Sequence, residues 1–184
     1  MKVLIVYGTT EGQTRKIAGF VATRLILQQH QVFTIDAPQA ERTADPFDFD
    51  AVLIAASLHA GRYQPAIAQY VKHHLGTIDT RRNAFLSVSL AAASHEPEDL
   101  AGLSQCVAAF VHETGWKPHS VYHVAGAFRY TEYDFLKRWA MKYIAYRKGA
   151  PTDTRHDYEL TDWDEVARLC DAFVTPVIEP RQRA

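Results

Sequence analysis

The sequence is short of the features that commit a chain to metal, to a disulfide framework or to a lipid interior. Of its 184 residues two are cysteines, Cys106 and Cys170, and no CxxC pair or Cys/His ligand spacing accompanies them. Both sit in apolar, helix-like surroundings, so they are expected to be reduced core thiols, with no metal site. No apolar run approaches the roughly 20 residues of a membrane span, and the N-terminal run Val3-Leu4-Ile5-Val6-Tyr7 is too short for the core of a signal sequence. A cytoplasmic location is expected, with any membrane contact peripheral. Charge of one sign is also missing: 20 Lys and Arg oppose 21 Asp and Glu, for a net charge of −1. That balance offers no field for a polyanion, and no nucleic-acid partner is expected.

What is present is a rhythm of short β-branched runs and longer amphipathic stretches. Strands are expected at Val3–Tyr7, Gln31–Asp36, Ala51–Ala56, Ala84–Leu90 and Ser120–Gly126. Helices are expected from Thr14 to about Gln29, Pro65 to about Leu75, Glu96 to Thr114, and onward from Thr161 or Asp162, with proline, acids and Gly115 marking their ends. Strands that are apolar throughout suit a parallel sheet covered on both faces. The expected fold is an α/β doubly wound five-stranded parallel sheet with helices on both faces. One domain is expected over 1–184, with a helical insertion near the fifth strand at about 127–156 and a polar tail at 176–184.

The first strand-to-helix loop carries the clearest chemistry. It reads Gly8-Thr9-Thr10-Glu11-Gly12-Gln13-Thr14. The first N–H groups of a helix lack intrahelical partners, and the helix dipole adds positive potential, so an anion is favoured there. Thr9, Thr10 and Thr14 add hydroxyls, while Gly8 and Gly12 let the backbone turn tightly. There is no Walker lysine, no GxGxxG and no cysteine nucleophile, which disfavours a nucleoside triphosphate or NAD. The first and third strands end in Tyr7 and in Ala55-Ala56-Ser57 instead of acids, which excludes a phosphate-accepting aspartate site.

Ligands of doubly wound folds lie beyond the carboxyl ends of the strands. The loops Ser57-Leu58-His59-Ala60-Gly61-Arg62-Tyr63 and Leu90-Ala91-Ala92-Ala93-Ser94-His95 should therefore flank the same site, with Tyr63 available to stack on a planar ring. Backbone groups around Ser57, His59, Gly61 and Ala91 are candidates for the ring's polar edge, and His59 and His95 for proton transfer. In the insertion, Arg129, Lys137, Arg138, Lys142, Arg147 and Lys148 outnumber Glu132 and Asp134 by six to two. Phe135, Leu136, Trp139, Tyr143 and Tyr146 share one helical face there, and most of the cations lie opposite. Such a helix suits an anionic membrane surface, an amphiphilic anionic ligand or the domain's own core.

The Gly8–Thr14 run resembles the phosphate loop of flavodoxins, which implies FMN. The resemblance sharpens with Gly12-Gln13-Thr14-Arg15, Ala56-Ser57 with Gly61 and Tyr63, Ala125-Gly126-Ala127-Phe128-Arg129-Tyr130, Thr152-Asp153-Thr154-Arg155 and Thr161-Asp162-Trp163. Together these look like the quinone-dependent protoporphyrinogen IX dehydrogenases of the flavodoxin superfamily. That resemblance implies the strand order 2-1-3-4-5 and oxidation of protoporphyrinogen IX to protoporphyrin IX, late in haem synthesis. It also implies menaquinone or ubiquinone as acceptor, at a peripheral position on the inner membrane. Thr9, Thr10, Glu11, Gly12, Gln13 and Thr14 would hold the FMN phosphate. Ser57, Leu58, His59, Ala60, Gly61, Tyr63, Ser89, Leu90, Ala91 and Ala92 would hold the ring. Arg129, Arg138, Lys142 and Arg147 are the cations offered to the substrate's propionates, and the Arg129–Lys148 helix to the membrane. A flavodoxin electron shuttle and an NAD(P)H:quinone reductase remain as alternatives that explain the first loop equally well.

Overall fold

Strand residues buried on both faces need a layer of helices above and below, and Leu4, Ile5 and Val6 are wholly inaccessible to solvent. A computed structural model describes residues 1–128 and 158–175. In it β1 (Lys2–Gly8) is flanked by β2 (Gln31–Asp36) on one side and by β3 (Ala51–Ser57) on the other. β4 (Arg82–Ser89) and β5 (Val121–Ala125) complete the sheet beyond β3. All pairings are parallel, and the order is the expected 2-1-3-4-5. The register sets Gly8 beside Ala56, Ser57 beside Val88 and Ser89 beside Ala125. The carboxyl ends of β1, β3, β4 and β5 thus come level at one edge of the sheet.

One face is covered by α1 (Gln13–Leu27) and α5 (Trp163–Val174), whose Ile17, Val21, Leu25, Val166, Cys170 and Phe173 pack with Val3, Ile5, Leu53 and Leu86. Burial pushes the Cys170 thiol up to about 11, as befits an unreactive core thiol. On the other face lie α2 (Ala37–Thr43), α3 (Pro65–Thr80) and α4 (Pro97–Thr114). Their Ala40, Ile67, Tyr70, Val71 and Phe110 pack with Leu4, Val6, Val52, Ile54 and Phe85. α2 was not expected. Its short run carries too little apolar pattern to announce a helix, and burial of Ala37 and Ala40 anchors it.

The helix ends follow their local chemistry. Pro65 and Pro97 open α3 and α4, the left-handed Gly115 closes α4, and Asp162 accepts the Glu165 N–H at 2.9 Å to cap α5. α3 runs further than expected: it breaks helical geometry at His74, resumes, and ends at Thr80 because Ile78 is drawn into the core. A two-stranded antiparallel pair, β6 (Ala127–Phe128) with β7 (Tyr158–Glu159), joins the residues on either side of 129–157. The expected insertion helix and the tail lie outside the described residues.

Gly8 is a glycine for reasons of space. A Cβ there would stand 2.7 Å from Ile67 Cγ1 and 2.9 Å from Gln64 Oε1. Gly8→Ala is expected to lower the free energy of unfolding by about 1–3 kcal/mol, read from urea denaturation. His74 Nε2 and His123 Nδ1 are buried without hydrogen-bond partners, and burial holds both side chains below the ordinary histidine value. The folded state therefore disfavours the charged forms, and below about pH 6.5 the unfolded chain binds more protons. The melting temperature should fall as pH drops from about 7 to 5, and His74→Asn with His123→Asn should flatten that slope.

Candidate functional site

The loops leaving β1, β3, β4 and β5 enclose a cleft of about 220 Å³. The β1 loop brings Thr9, Thr10, Glu11, Gln13 and Thr14 to it, whereas the β3 and β4 loops bring the apolar Leu58, Ala60, Leu90 and Ala91. One wall is thus rich in hydroxyls and amides, and the other suits a flat apolar group. No lysine or arginine lines the cleft among the described residues.

The polar wall is built around the start of α1. Gly12 precedes the helix with φ 91°, a left-handed conformation that a glycine takes without strain. Its N–H donates to Thr9 Oγ1 at 2.9 Å, which closes the loop on itself. α1 has neither a side-chain cap at its N-terminus nor an acid in its first turn. Thr14 in that turn is fully buried, lines the cleft, and has a hydroxyl with no partner. A buried hydroxyl left unmatched costs about 1–3 kcal/mol. An oxyanion in the cleft would take that hydrogen bond together with the first helical N–H groups, so the donor set fits a phosphate held without a cation.

Elsewhere the loops are tied down by their own backbone. Leu58 N–H donates to the Val88 carbonyl at 2.7 Å, and His59 and Arg62 exchange N–H···O bonds of 2.9 and 3.0 Å. Ala60 and Gly61, with φ 48° and 77°, make the tip of this two-residue hairpin. A left-handed alanine at a ligand-facing tip stores about 1 kcal/mol of strain. Ser89 Oγ accepts the Ala92 N–H at 3.1 Å, and the Ser89 carbonyl accepts the Gly126 N–H at 3.0 Å.

Of the residues expected to bind the cofactor, Thr9, Thr10, Glu11, Gln13, Thr14, Ser57, Leu58, His59, Ala60, Gly61, Ser89, Leu90 and Ala91 line this one cleft. Gly12 and Ala92 shape the loops without lining it. The backbone N–H of His59, expected at a ring's polar edge, is already spent within the hairpin. His95 is exposed and does not line the cleft. The Gln13 side chain turns toward the start of α5, donating to Thr161 Oγ1 at 2.8 Å and Glu159 Oε1 at 3.2 Å. Lys16 pairs with Glu159 at 2.6 Å, which holds that carboxyl below its ordinary range. Arg129, Arg138, Lys142 and Arg147 lie outside the described residues.

Tyr63 is a correction. Instead of facing a ring in the cleft it is only 9% exposed, packed edge-on against Phe85 and Phe110, with its hydroxyl 2.8 Å from Ser87 Oγ. The cause is Ser87, a fully buried serine on β4 whose hydroxyl would otherwise lack a partner. Burial pushes the Tyr63 hydroxyl up to about 12. Val88, Gly126 and Ala127 line the cleft without having been singled out in that role. For Gly126 and Ala127 the signal was their place directly after β5, at the same sheet edge as the other loops.

Residues 4–155 match the family model described as Flavodoxin domain, which supports a flavin as the cofactor. Over 172 residues the chain is 34% identical to the protoporphyrinogen IX dehydrogenase (quinone) of Escherichia coli strain K12, covering 92% of each. It is 29% identical over 185 residues to the protein of the same name from Leishmania major, spanning 100% of this chain and 80% of that one. Among solved structures, a flavodoxin from Streptococcus pneumonia TIGR4 aligns with a TM-score of 0.50 at 16% identity, over 79% of this chain and 99% of its own, a likeness of fold. Among the described residues no helix is long and apolar enough to cross a membrane. Fold, domain match and relatives agree, and the chain belongs to the quinone-dependent protoporphyrinogen IX dehydrogenases of the flavodoxin superfamily, a family of oxidoreductases.

Proposed function

We propose that the cleft binds FMN and that the protein oxidises protoporphyrinogen IX to protoporphyrin IX, passing the electrons to a membrane quinone, menaquinone or ubiquinone, at a peripheral position on the inner membrane. The observation that carries the cofactor reading is the unpartnered, buried Thr14 hydroxyl at the uncapped start of α1, inside the cleft. The names of the relatives support the substrate and the acceptor class.

In this reading the phosphate takes the Thr14 hydroxyl, the hydroxyls of Thr9 and Thr10 and the first N–H groups of α1. Leu58, Ala60, Val88, Leu90 and Ala91 exclude water from the ring. Bound there, the flavin would supply two-electron oxidation of the donor and return of those electrons to a quinone, three such rounds and three quinones completing the six-electron conversion, and the protein's part is binding, orientation and exclusion of solvent. On local charge alone, Arg129, Arg138, Lys142 and Arg147 are the cations assigned to the substrate's propionates, and the run from Arg129 to Lys148 to an anionic membrane surface.

Flavin-fluorescence titration of the apoprotein should give an FMN Kd raised about tenfold or more by Thr14→Val, with riboflavin affected less because it lacks the phosphate. Tyr63→Phe should leave FMN affinity unchanged while lowering the melting temperature. For the reaction, anaerobic protoporphyrinogen IX is mixed with FMN-loaded protein, and a soluble menaquinone analogue follows. Bleaching of the flavin band, then quinone-dependent porphyrin fluorescence, is expected. Bound FMN without reaction above a buffer control would instead favour an electron shuttle or an NAD(P)H:quinone reductase.

A further inference from the structure

Gln64 lies outside the cleft lining, yet its carboxamide reaches both of the loops that build it. It is the residue before α3, a position where a short Ser, Thr, Asp or Asn side chain would cap the helix. The Gln64 side chain makes no such cap. Its backbone carbonyl accepts the Ile67 N–H at 3.0 Å, and the side chain is turned the other way, toward the sheet edge. There Nε2 donates to Thr10 Oγ1 at 3.1 Å, in the β1 loop, and to Ser57 Oγ, at the end of β3. Thr10 and Ser57 both line the cleft. The missing Cβ of Gly8 leaves the room this carboxamide occupies, and its Oε1 is buried with no hydrogen-bond partner.

The direction of these bonds has chemical content. A hydroxyl is both donor and acceptor, and unless something fixes it, it turns to suit its surroundings. A hydroxyl that accepts from an amide N–H has its own hydrogen left to give. We propose that Gln64 is a positioning residue that sets Thr10 and Ser57 as hydrogen-bond donors facing the cofactor, Thr10 toward the phosphate and Ser57 toward the ring. With no cation lining the cleft among the described residues, an anion there draws on hydrogens, so the orientation of each hydroxyl matters more than it would beside an arginine. Gln64 thereby also couples the phosphate loop to the ring loop. The inference rests on the FMN reading above.

The variants Gln64→Glu and Gln64→Ala separate orientation from bracing. A glutamate keeps the shape and still bonds both hydroxyls, but it accepts their hydrogens and turns them away from the cleft. A pure brace would therefore tolerate Gln64→Glu better than Gln64→Ala. Orientation requires the reverse order: Gln64→Glu should raise the FMN Kd by about 30-fold and Gln64→Ala by about 5-fold, with riboflavin less affected by either. The acidic charge itself is controlled by Thr10→Val. With no Thr10 hydroxyl to reorient, the FMN penalty of Gln64→Glu should shrink severalfold, whereas repulsion acting through space would persist in full. Cooperative thermal unfolding of each apoprotein, followed by circular dichroism, serves as the check on folding. Wild type that binds FMN, with Gln64→Glu equal to or tighter than Gln64→Ala, overturns this inference and leaves the cofactor reading standing. A full Gln64→Glu penalty in the Thr10→Val background overturns it as well. Wild type that fails to bind FMN overturns the cofactor reading and this inference with it.

Discussion

A parallel sheet covered on both faces satisfies its backbone by pairing strand to strand, and its central strands leave unpaired polar groups only at their ends. In this protein Gly8, Ser57, Ser89 and Ala125 end their strands level with one another. Four loops and the start of α1 consequently converge at one edge, each bringing N–H groups, carbonyls and hydroxyls that must be matched. Most are matched locally: Leu58 with Val88, His59 with Arg62, Gly126 with Ser89, Ala92 with the Ser89 hydroxyl. Among the described side chains that line the cleft, the Thr14 hydroxyl beside an uncapped helix stays unmatched, which supports the proposed ligand site.

That edge is also supported from behind. Tyr63 and Ser87 satisfy one another in the core while Phe85, Phe110 and Trp116 pack around them, so the β3 loop returns into α3 along a rigid path. Gln13 and Lys16, on the first turn of α1, reach Glu159 and Thr161, and Thr161 in turn donates to the Ala125 carbonyl at 2.7 Å. The start of α1 and the chain entering α5 are thereby held to each other. A site proposed to hold an anion by neutral donors among the described residues needs such support, because a neutral donor loses strength steeply when its angle drifts.

The neutral overall charge accords with that design. In the proposed FMN site, attraction for the phosphate would come from a helix end and oriented hydroxyls, short-range sources that need no single-signed field over the protein. The cationic excess between Arg129 and Lys148 stands apart from it in sequence and is proposed to serve different chemistry, carboxylates of a substrate or an anionic surface.

Much of this could be read directly from the residues. The five apolar runs, the helix-opening prolines, Gly115 and the acids after Asp162 are local signals, and a threonine-rich turn after the first buried strand needs no distant partner to be recognised. The sequence by itself therefore determined the fold class, the boundaries of the five sheet strands to within a residue or two, and the loop proposed to hold an anion. Tertiary structure decided what depends on contacts between distant residues. Tyr63 turns inward because Ser87, on another strand, needs a hydroxyl partner, and α2 forms because Ala37 and Ala40 find a core to bury in. Gln64 acquires its role because Gly8, Thr10 and Ser57 meet it in space, since hydrogen-bond direction and free volume are properties of the packed whole.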